Sequence, residues 1–182
     1  STGGNGDGID VDSCRHVRIS DCDIETGDDC IAIKSGREEE GYTLAQTTQD
    51  VTIENCTLAD AIFACIGIGS ETSGGIRGVR IEHCTFTHAR TYAVYIKTRV
   101  GRGAFIEDVT GDDLTASGMG QGFLCINATG SGILGPVPVP GEAGVPQLKD
   151  FRFTHVRVTG CPELVRATAI TASKPLDGFV LE

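Results

Sequence analysis

An internal repeat constrains the fold of this chain more than any other feature. One apolar strand pattern recurs in the same alignment at residues 8–13, 30–35, 65–70, 93–98 and, more weakly, 123–128. A second pattern recurs out of phase with the first, at residues 17–22, 51–56, 79–84 and, more loosely, 151–156. Repetition of this kind predicts a structure built from stacked units.

Each unit consists of short strands with alternating apolar residues, bounded by Gly, Asp, Asn and Ser, and no helical apolar period is long enough for βαβ crossovers. A single such coil cannot bury its apolar side, so the copies must stack with parallel strands about 4.8 Å apart. The sequence therefore predicts an all-β parallel β-helix, a single-stranded solenoid. Its interior would hold columns of isoleucine: Ile31 with Ile66, and Ile33 with Ile68, Ile96 and Ile126.

The repeat indicates one elongated domain over residues 1–182. Two segments interrupt it, residues 36–50 and 130–147, and we expect both to be loop excursions. Since neither end of the chain shows a capping element, we expect the domain to be truncated at both ends, as part of a longer β-helix.

Three aspartates lie where glycine-marked segments enter the first two strand copies: Asp7 before the first, Asp28 and Asp29 before the second. Asp7 and Asp29 fall in one column on neighbouring coils. Side chains leaning apart can then reach the roughly 6.5–9.5 Å carboxyl separation of an inverting glycosidase. Strict alternation would put Asp28 and Asp29 on opposite faces, unless a turn or bulge at Gly27 re-aims one of them. Grouped carboxylates predict acid–base chemistry.

Net charge narrows the classes of partner. With 15 basic and 25 acidic residues the net charge is −10, whereas nucleic-acid binding requires a basic footprint. We expect no nucleic-acid partner and, without a membrane-spanning apolar run, no membrane partner. A polyanionic substrate would need a local basic patch, and the outward-facing candidates are Lys34, Lys97, Arg99 and Arg102. The alternative for Lys34 and Arg99 is a solvated surface role.

The eight cysteines allow three interpretations. Cys22, Cys56 and Cys84 occupy one position of successive repeats, as small buried residues do in stacked coils. A disulfide such as Cys14 with Cys30 is a second interpretation, and a metal site is a third, although the paired C-x₂-C spacing of zinc sites is missing.

Four ordered motifs resemble those of glycoside hydrolase family 28, the polygalacturonases. They occupy residues 5–10 (Asn-Gly-Asp-Gly-Ile-Asp), 27–30 (Gly-Asp-Asp-Cys), 68–71 (Ile-Gly-Ser-Glu) with 73–75, and 96–98 (Ile-Lys-Thr) with 101–103. The resemblance implies a right-handed parallel β-helix, and hydrolysis of a galacturonic-acid-containing pectin backbone with inversion and without metal or cofactor. It further implies a secreted or periplasmic enzyme, which we expect to be a monomer.

The resemblance also implies roles for single residues. Asp28 would be the general acid, and Asp7 and Asp29 would activate the attacking water. A crowded set of carboxylates raises the pKa of one member, which keeps a proton available. The substrate-binding residues would be Asn5, Tyr95, Lys97, which holds the substrate carboxylate, and Arg102.

Two departures from the polygalacturonase pattern bear on the substrate. Ile62-Phe63-Ala64 stand where the family has Gly-His-Gly, and Tyr95 stands for the Arg of Arg-Ile-Lys. Rhamnogalacturonan hydrolases of the same family show similar absences, which makes rhamnogalacturonan an alternative substrate. Phe63 and Tyr95 would then supply apolar or hydroxyl contacts.

Other functional classes stay open at this stage. A non-catalytic carbohydrate-binding β-helix or an inactive family member would share the same repeats. A pectin lyase would share the architecture, but it would use an arginine base with calcium. The three grouped acids favour hydrolysis over these alternatives.

Overall fold

The computed structural model describes residues 4–128, 130–168 and 171–182. The strands and the one α-helix of this part of the chain are, in order, β1 Ile9–Asp12, β2 Arg15–Ser20, β3 Asp23–Glu25, β4 Ile31–Lys34, α1 Glu38–Leu44, β5 Thr48–Glu54, β6 Thr57–Ala59, β7 Ile66–Ile68, β8 Ile76–Glu82, β9 Thr85–Thr87, β10 Tyr92–Lys97, β11 Phe105–Ser117, β12 Gly122–Asn127, β13 Gln147–Thr159, β14 Glu163–Thr168 and β15 Asp177–Leu181. A 3-10 helix, Gly141–Gly144, precedes β13.

These strands pair in parallel and form two sheets. Sheet A has the order β1-β4-β7-β10-β12-β14. Sheet B contains β2-β5-β8-β11-β13-β15, and the short strands β3, β6 and β9 continue it beside the second half of β11. Each sheet therefore gains a strand as the chain completes a coil. The predicted all-β parallel β-helix is confirmed.

Sheet A has the register that the repeat predicts. Ile9, Ile31 and Ile66 are direct partners on successive strands, and the predicted second column, Ile33, Ile68, Ile96 and Ile126, aligns in the same way. These side chains are buried in the apolar core inside the coils, except for the partly buried Ile9. Since each buried isoleucine contributes about 1.5–3 kcal/mol, the columns hold the coils in register.

Sheet B includes a strand copy that the sequence pattern missed. Val109 of β11 pairs with Val79 on one side and with Phe151 on the other, so a whole coil lies between the copies at 79–84 and 151–156. Gly111 and Leu114 stand where the earlier copies have Ile and Cys, which hides the pattern. Sheet A likewise gains a sixth strand, β14.

The corners of the coils use left-handed backbone at repeated positions. One column with positive φ consists of His16, Asp50, Gly78, Asp108, Asp150 and Gly178, and another of Asp21, Asn55, His83, Asp113 and His155. Apart from glycine, Asp, Asn and His are the residues most enriched in this conformation. The polar residues that separate the strand copies are therefore the ones the corners require.

The two excursions pack against each other. Residues 36–50 were expected to form a loop, but they contain α1, whose first turn holds Glu38, Glu39 and Glu40, as the helix dipole favours. The backbone N–H of Glu39 donates to the carbonyl of Val137, at 3.2 Å, in the second excursion. The excursions thus form one wall beside sheet A.

The cysteine thiols are free, and most of them line the coils. The Cys84 thiol donates to the backbone carbonyl of Ile53 on the preceding coil, at 3.7 Å, and that of Cys56 to Ile19 in the same way, at 3.8 Å. Cys14 is exposed while Cys30 is buried, and no disulfide joins them. This arrangement agrees with the stacked-column interpretation. Among the described residues, no helix has the length and apolar character needed to cross a membrane.

Candidate active site

The three aspartates converge at one edge of sheet A. Because Ile9 pairs with Ile31, Asp7 lies beside Asp29 on the next coil, and the backbone N–H of Asp29 donates to Asp7 Oδ1 at 3.2 Å. One carboxylate oxygen from each of Asp7, Asp28 and Asp29 lies within 4.8 Å of the others. The backbone bends at Gly27 and Asp28, before β4 begins. The side chains of Asp28 and Asp29 therefore do not alternate between opposite faces, and both line the same cavity.

The spacing of these acids permits a shared water. Their closest oxygens, within 4.8 Å, are nearer than the 6.5–9.5 Å predicted for the separation of whole carboxyl groups. A water that donates to two carboxylates at about 2.8 Å each fits between oxygens at this spacing. The arrangement can therefore hold a nucleophilic water between two acids.

Asp29 is the most deeply buried of the three. Its Oδ2 accepts a hydrogen bond from Lys97 Nζ at 2.7 Å, and its Oδ1 accepts one from the backbone N–H of Ala64 at 3.0 Å. Burial raises the pKa of Asp29 above its usual 3.8, although Lys97 opposes the rise, and the charge of Asp28 adds a smaller increase. Crowding was expected to raise the pKa of one acid. Burial is the larger cause, and the acid concerned is Asp29.

Gly67 of β7 makes room for the Asp29 carboxylate. A Cβ at this position would overlap the Asp29 oxygens. In the same column of sheet A, the neighbouring strands carry Ala32 and Tyr95. The bare backbone at Gly67 lets Lys97 on β10 reach across one strand to Asp29.

A second lysine serves Asp7. Lys34 Nζ, at the end of β4, lies 3.0 Å from Asp7 Oδ2, 2.5 Å from Asp10 Oδ1 and 3.9 Å from Glu71 Oε2. Burial disfavours the charged lysine, but the hydrogen bonds to Asp10 and Asp7 outweigh burial and raise the pKa of Lys34. The surface role left open for Lys34 does not hold, because its ammonium bonds to an acid of the site.

An aromatic pair flanks Lys97. The rings of Phe63 and Tyr95 stack, with centroids 5.4 Å apart and planes 15° apart, and Tyr92 meets Tyr95 edge to face. Lys97 Nζ lies 4.4 Å from the Phe63 centroid and 5.7 Å from that of Tyr95. The residues at the two departures from the family pattern therefore contact each other and cover the lysine.

Two adjoining cavities, of about 350 and 300 Å³, meet at this edge. Both are lined by Asn5, Asp28, Ser70 and Lys97; the larger holds the other two acids, and the smaller holds Phe63. The acids also form the group of described residues most suited to a shared cation. However, Lys34 and Lys97 already supply positive charge there.

Arg102 corrects the sequence prediction. Its side chain has no exposed surface, its Nη1 lies 2.5 Å from Glu38 Oε1, and its Nη2 donates to the carbonyl of Ile133. Burial lowers the pKa of Arg102, and Glu38 opposes that shift. The arginine ties α1 to the second excursion and cannot contact substrate where it lies. Asn5 and Lys97 do line the cavity with the acids, whereas Tyr95 reaches it only through its contacts with Phe63 and Lys97.

Sequence reasoning missed Asp10, Glu71 and Gly67 as parts of the site. Asp10 and Glu71 both lie beside Lys34. The sequence did mark that lysine, since Lys34 and Lys97 end equivalent copies of the same strand pattern. Glu71 belongs to a motif already noted, directly after Ser70. Nothing in the pattern marks Gly67, because its importance depends on the path of the Asp29 side chain.

Comparison with known proteins supplies the family. The sequence model of the family described as glycosyl hydrolases family 28 matches residues 1–129. A probable polygalacturonase from Vitis vinifera is 39% identical over 127 residues, which are 70% of this chain and 26% of that protein. A probable endo-xylogalacturonan hydrolase A from Neosartorya fischeri is 28% identical over 162 residues, or 80% of this chain and 37% of that protein. The chain thus spans well under half the length of these relatives.

Solved structures share the fold. An exopolygalacturonase from Thermotoga maritima superposes with a TM-score of 0.84 and 26% identity, over 95% of this chain and 37% of that one. Endopolygalacturonase I from Stereum purpureum, complexed with two galacturonate, superposes with a TM-score of 0.67 and 23% identity, over 96% of this chain and 54% of that one. At 23% identity the second likeness concerns the fold alone.

Proposed function

Since the chain belongs to glycosyl hydrolases family 28, we propose that it is a pectin-degrading hydrolase that cleaves a galacturonic-acid-containing backbone with inversion. The observation that supports this most directly is the meeting of Asp7, Asp28 and Asp29 within 4.8 Å at a cavity that Lys97 also lines. The polygalacturonase names among its relatives agree with that substrate class.

In the proposed reaction, Asp28 donates its proton to the glycosidic oxygen as the bond to the anomeric carbon breaks. Asp7 and Asp29 hold a water whose oxygen bonds to the anomeric carbon from the opposite face of the sugar, and one of the two carboxylates takes its proton. Lys97 has three N–H donors and uses one on Asp29, so others remain for the substrate carboxylate. Asn5, exposed at the rim of both cavities, supports the bound sugar.

A rhamnogalacturonan backbone is the second candidate substrate, and the Phe63–Tyr95 stack favours it. An aromatic face binds the C–H side of a neutral sugar, whereas a cation would bind a carboxylate. The chemistry at the three acids is the same for either polymer. We further propose that the protein acts as a monomer on pectic polysaccharide or oligosaccharide in a secreted or periplasmic location, where such polymers occur.

The test is release of reducing ends from homogalacturonan and from rhamnogalacturonan, by the protein and by Asp28→Asn, with a chelator present. We expect release that falls by about 10²–10⁴-fold in the variant, because amide cannot donate the proton. Asp28 is half-buried, and its carboxylate makes no hydrogen bond or ion pair with any described residue, so folding should be unchanged.

Proton NMR of the first product supplies the stereochemistry, with inversion expected. A folded protein that releases nothing from either polymer would overturn the proposal. A retained anomeric configuration would overturn the inverting step alone.

A further inference from the structure

The two lysines of the site end equivalent strands and hold different acids. Lys34 ends β4 and lies 3.0 Å from Asp7 Oδ2, whereas Lys97 ends β10 and lies 2.7 Å from Asp29 Oδ2. Both ammoniums are largely covered, with 22% and 12% of their side-chain surface exposed. Each proposed base therefore has its own cation within hydrogen-bonding distance.

Asp28 differs from both. Among residues 4–128, 130–168 and 171–182, no side chain forms an ion pair or hydrogen bond with its carboxylate. Its contacts are made by its backbone carbonyl, which accepts from Thr26 Oγ1 and from the N–H of Phe63. A neighbouring cation favours the charged form of a carboxyl group, and a neighbouring anion favours the neutral form. The charge pattern thus separates Asp28 from the other two acids.

The groups around Lys34 come from several elements. Asp7 and Asp10 lie before and on β1, and Glu71 follows β7. Arg37 pairs with Glu71 from the other side, at 2.5 Å. Asp12 is the partner of Lys34 in the strand register, and Asp12 Oδ1 accepts a hydrogen bond from the backbone N–H of Gly36. The carboxylates outnumber the cations here, so Asp7 without Lys34 would lie among like charges.

From this geometry we propose that Lys34 is a positioning residue that keeps Asp7 ionised and oriented toward the attacking water. Lys97 holds the Asp29 carboxylate in the same way, whereas no lysine among the described residues pairs with Asp28, the proposed general acid. The inference rests on the proposed function, because it assigns the base role of that reaction to the two aspartates that pair with a lysine, Asp7 and Asp29. The acid role goes to Asp28, which pairs with none.

The first test is the pH dependence of kcat for Lys34→Met, with Lys34→Arg as the charge-retaining variant and Lys149→Met as the matched control. Lys149 forms an exposed pair with Asp150, at 3.4 Å, on sheet B, far along the chain from the acids. In Lys34→Met we expect the acidic limb of the profile to move up by about one pH unit or more, with kcat recovering at higher pH. Lys34→Arg should restore most of the profile, and Lys149→Met should leave it unchanged. An unshifted profile in Lys34→Met, or a uniform loss of kcat at every pH, would overturn the inference.

The second test reads Asp7 without any substrate. Carboxyl carbon NMR of aspartate-labelled protein follows each acid through a pH titration, and Asp7→Asn identifies the Asp7 signal by its disappearance. The titration midpoint of Asp7 should rise by about one unit or more in Lys34→Met and stay the same in Lys149→Met. An unchanged midpoint in folded Lys34→Met would overturn the inference. This measurement decides the matter even if neither pectic polymer is cleaved, so a failed substrate assignment is distinguishable from a failed role for Lys34.

Discussion

Ion pairs link different coils in two regions of this solenoid, and the regions differ in burial rather than in distance. At the cleft, Lys97 and Asp29 lie 2.7 Å apart with side-chain exposures of 12% and 3%. On the corners of sheet B, His83 and Asp113 lie 3.0 Å apart with exposures of 56% and 45%. Contact geometry alone would not separate them. The exposed fraction of the side chains separates the two pairs.

The physical consequences of that difference are large. Exposed pairs are screened and gain little over solvated charges, whereas a buried charge depends on its partner because water no longer stabilises it. Burial raises the pKa of Asp29, but at the exposed pair the hydrogen bond to Asp113 raises the pKa of His83. Reactive carboxylates therefore belong to the drier region, where small changes of environment alter their protonation.

The largest effect is expected from Lys97→Met, which leaves Asp29 buried without its cation. We expect a loss of about 3 kcal/mol in the free energy of unfolding near neutral pH, together with loss of hydrolysis. The folded-state pKa of Asp29 already exceeds the unfolded 3.8, so stability falls as pH rises through the folded value. Removing Lys97 should raise the folded-state pKa of Asp29 further and so widen the pH range over which stability falls.

Urea unfolding at acidic and alkaline pH checks this, with Lys149→Met, at an exposed pair, as the control. A stability loss that is equal at both pH values would contradict the ionic explanation. It would point to lost packing by the lysine stem instead.

An intermediate effect is expected from Phe63→Ala, which uncovers the Lys97–Asp29 pair. Lys97 Nζ lies 4.4 Å from the Phe63 ring, and losing that contact should cost about 1 kcal/mol. Water would reach Asp29, so its pKa should fall toward 3.8, because burial is the main cause of the rise. Carboxyl NMR titration measures the shift, and Phe63→Leu, which keeps the site apolar, is the matched variant. An Asp29 midpoint that stays unchanged in both variants would contradict this role for Phe63.

The smallest effect is expected at the exposed pair. Asp113→Asn should lower the pKa of His83 toward 6.5, since the hydrogen bond that His83 donates to Asp113 is the main cause of its rise. A raised histidine pKa stabilises the fold only below that pKa, and the exposed Arg157–Asp113 pair that the variant also loses contributes little, so the change in unfolding should vanish at alkaline pH. Histidine proton NMR follows the titration, and a thermal scan should show no measurable shift at alkaline pH. A clear loss of stability there would mean that this pair resembles the buried one.

Much of the fold could be predicted because stacking repeats local rules. The alternation around Ile31 and Ile33 gave the register of sheet A, and with it the neighbourhood of Asp7 and Asp29. The strand copy at Val109 was missed, since Gly111 and Leu114 depart from the pattern and the ring of Phe153 occupies the space at Gly111.

The site was less predictable where it depends on packing between distant segments. The resemblance suggested Arg102 as a substrate contact, but the meeting of two excursions buries it against Glu38. The same limit applies to Lys34, whose role depends on Asp10 and Glu71 lying on either side of it. Neither arrangement follows from strand periodicity, because each involves side chains that leave the repeating coil.

Gly67 has a consequence for reading other sequences of this kind. It has no side chain with which to perform chemistry, yet any side chain there would displace the Asp29 carboxylate from the place where Lys97 meets it. A relative could therefore keep all three aspartates and both lysines and still be silenced by one substitution in the middle of a strand. A survey that scores only the reactive residues would count such a sequence as a working enzyme. A survey that includes this glycine would not.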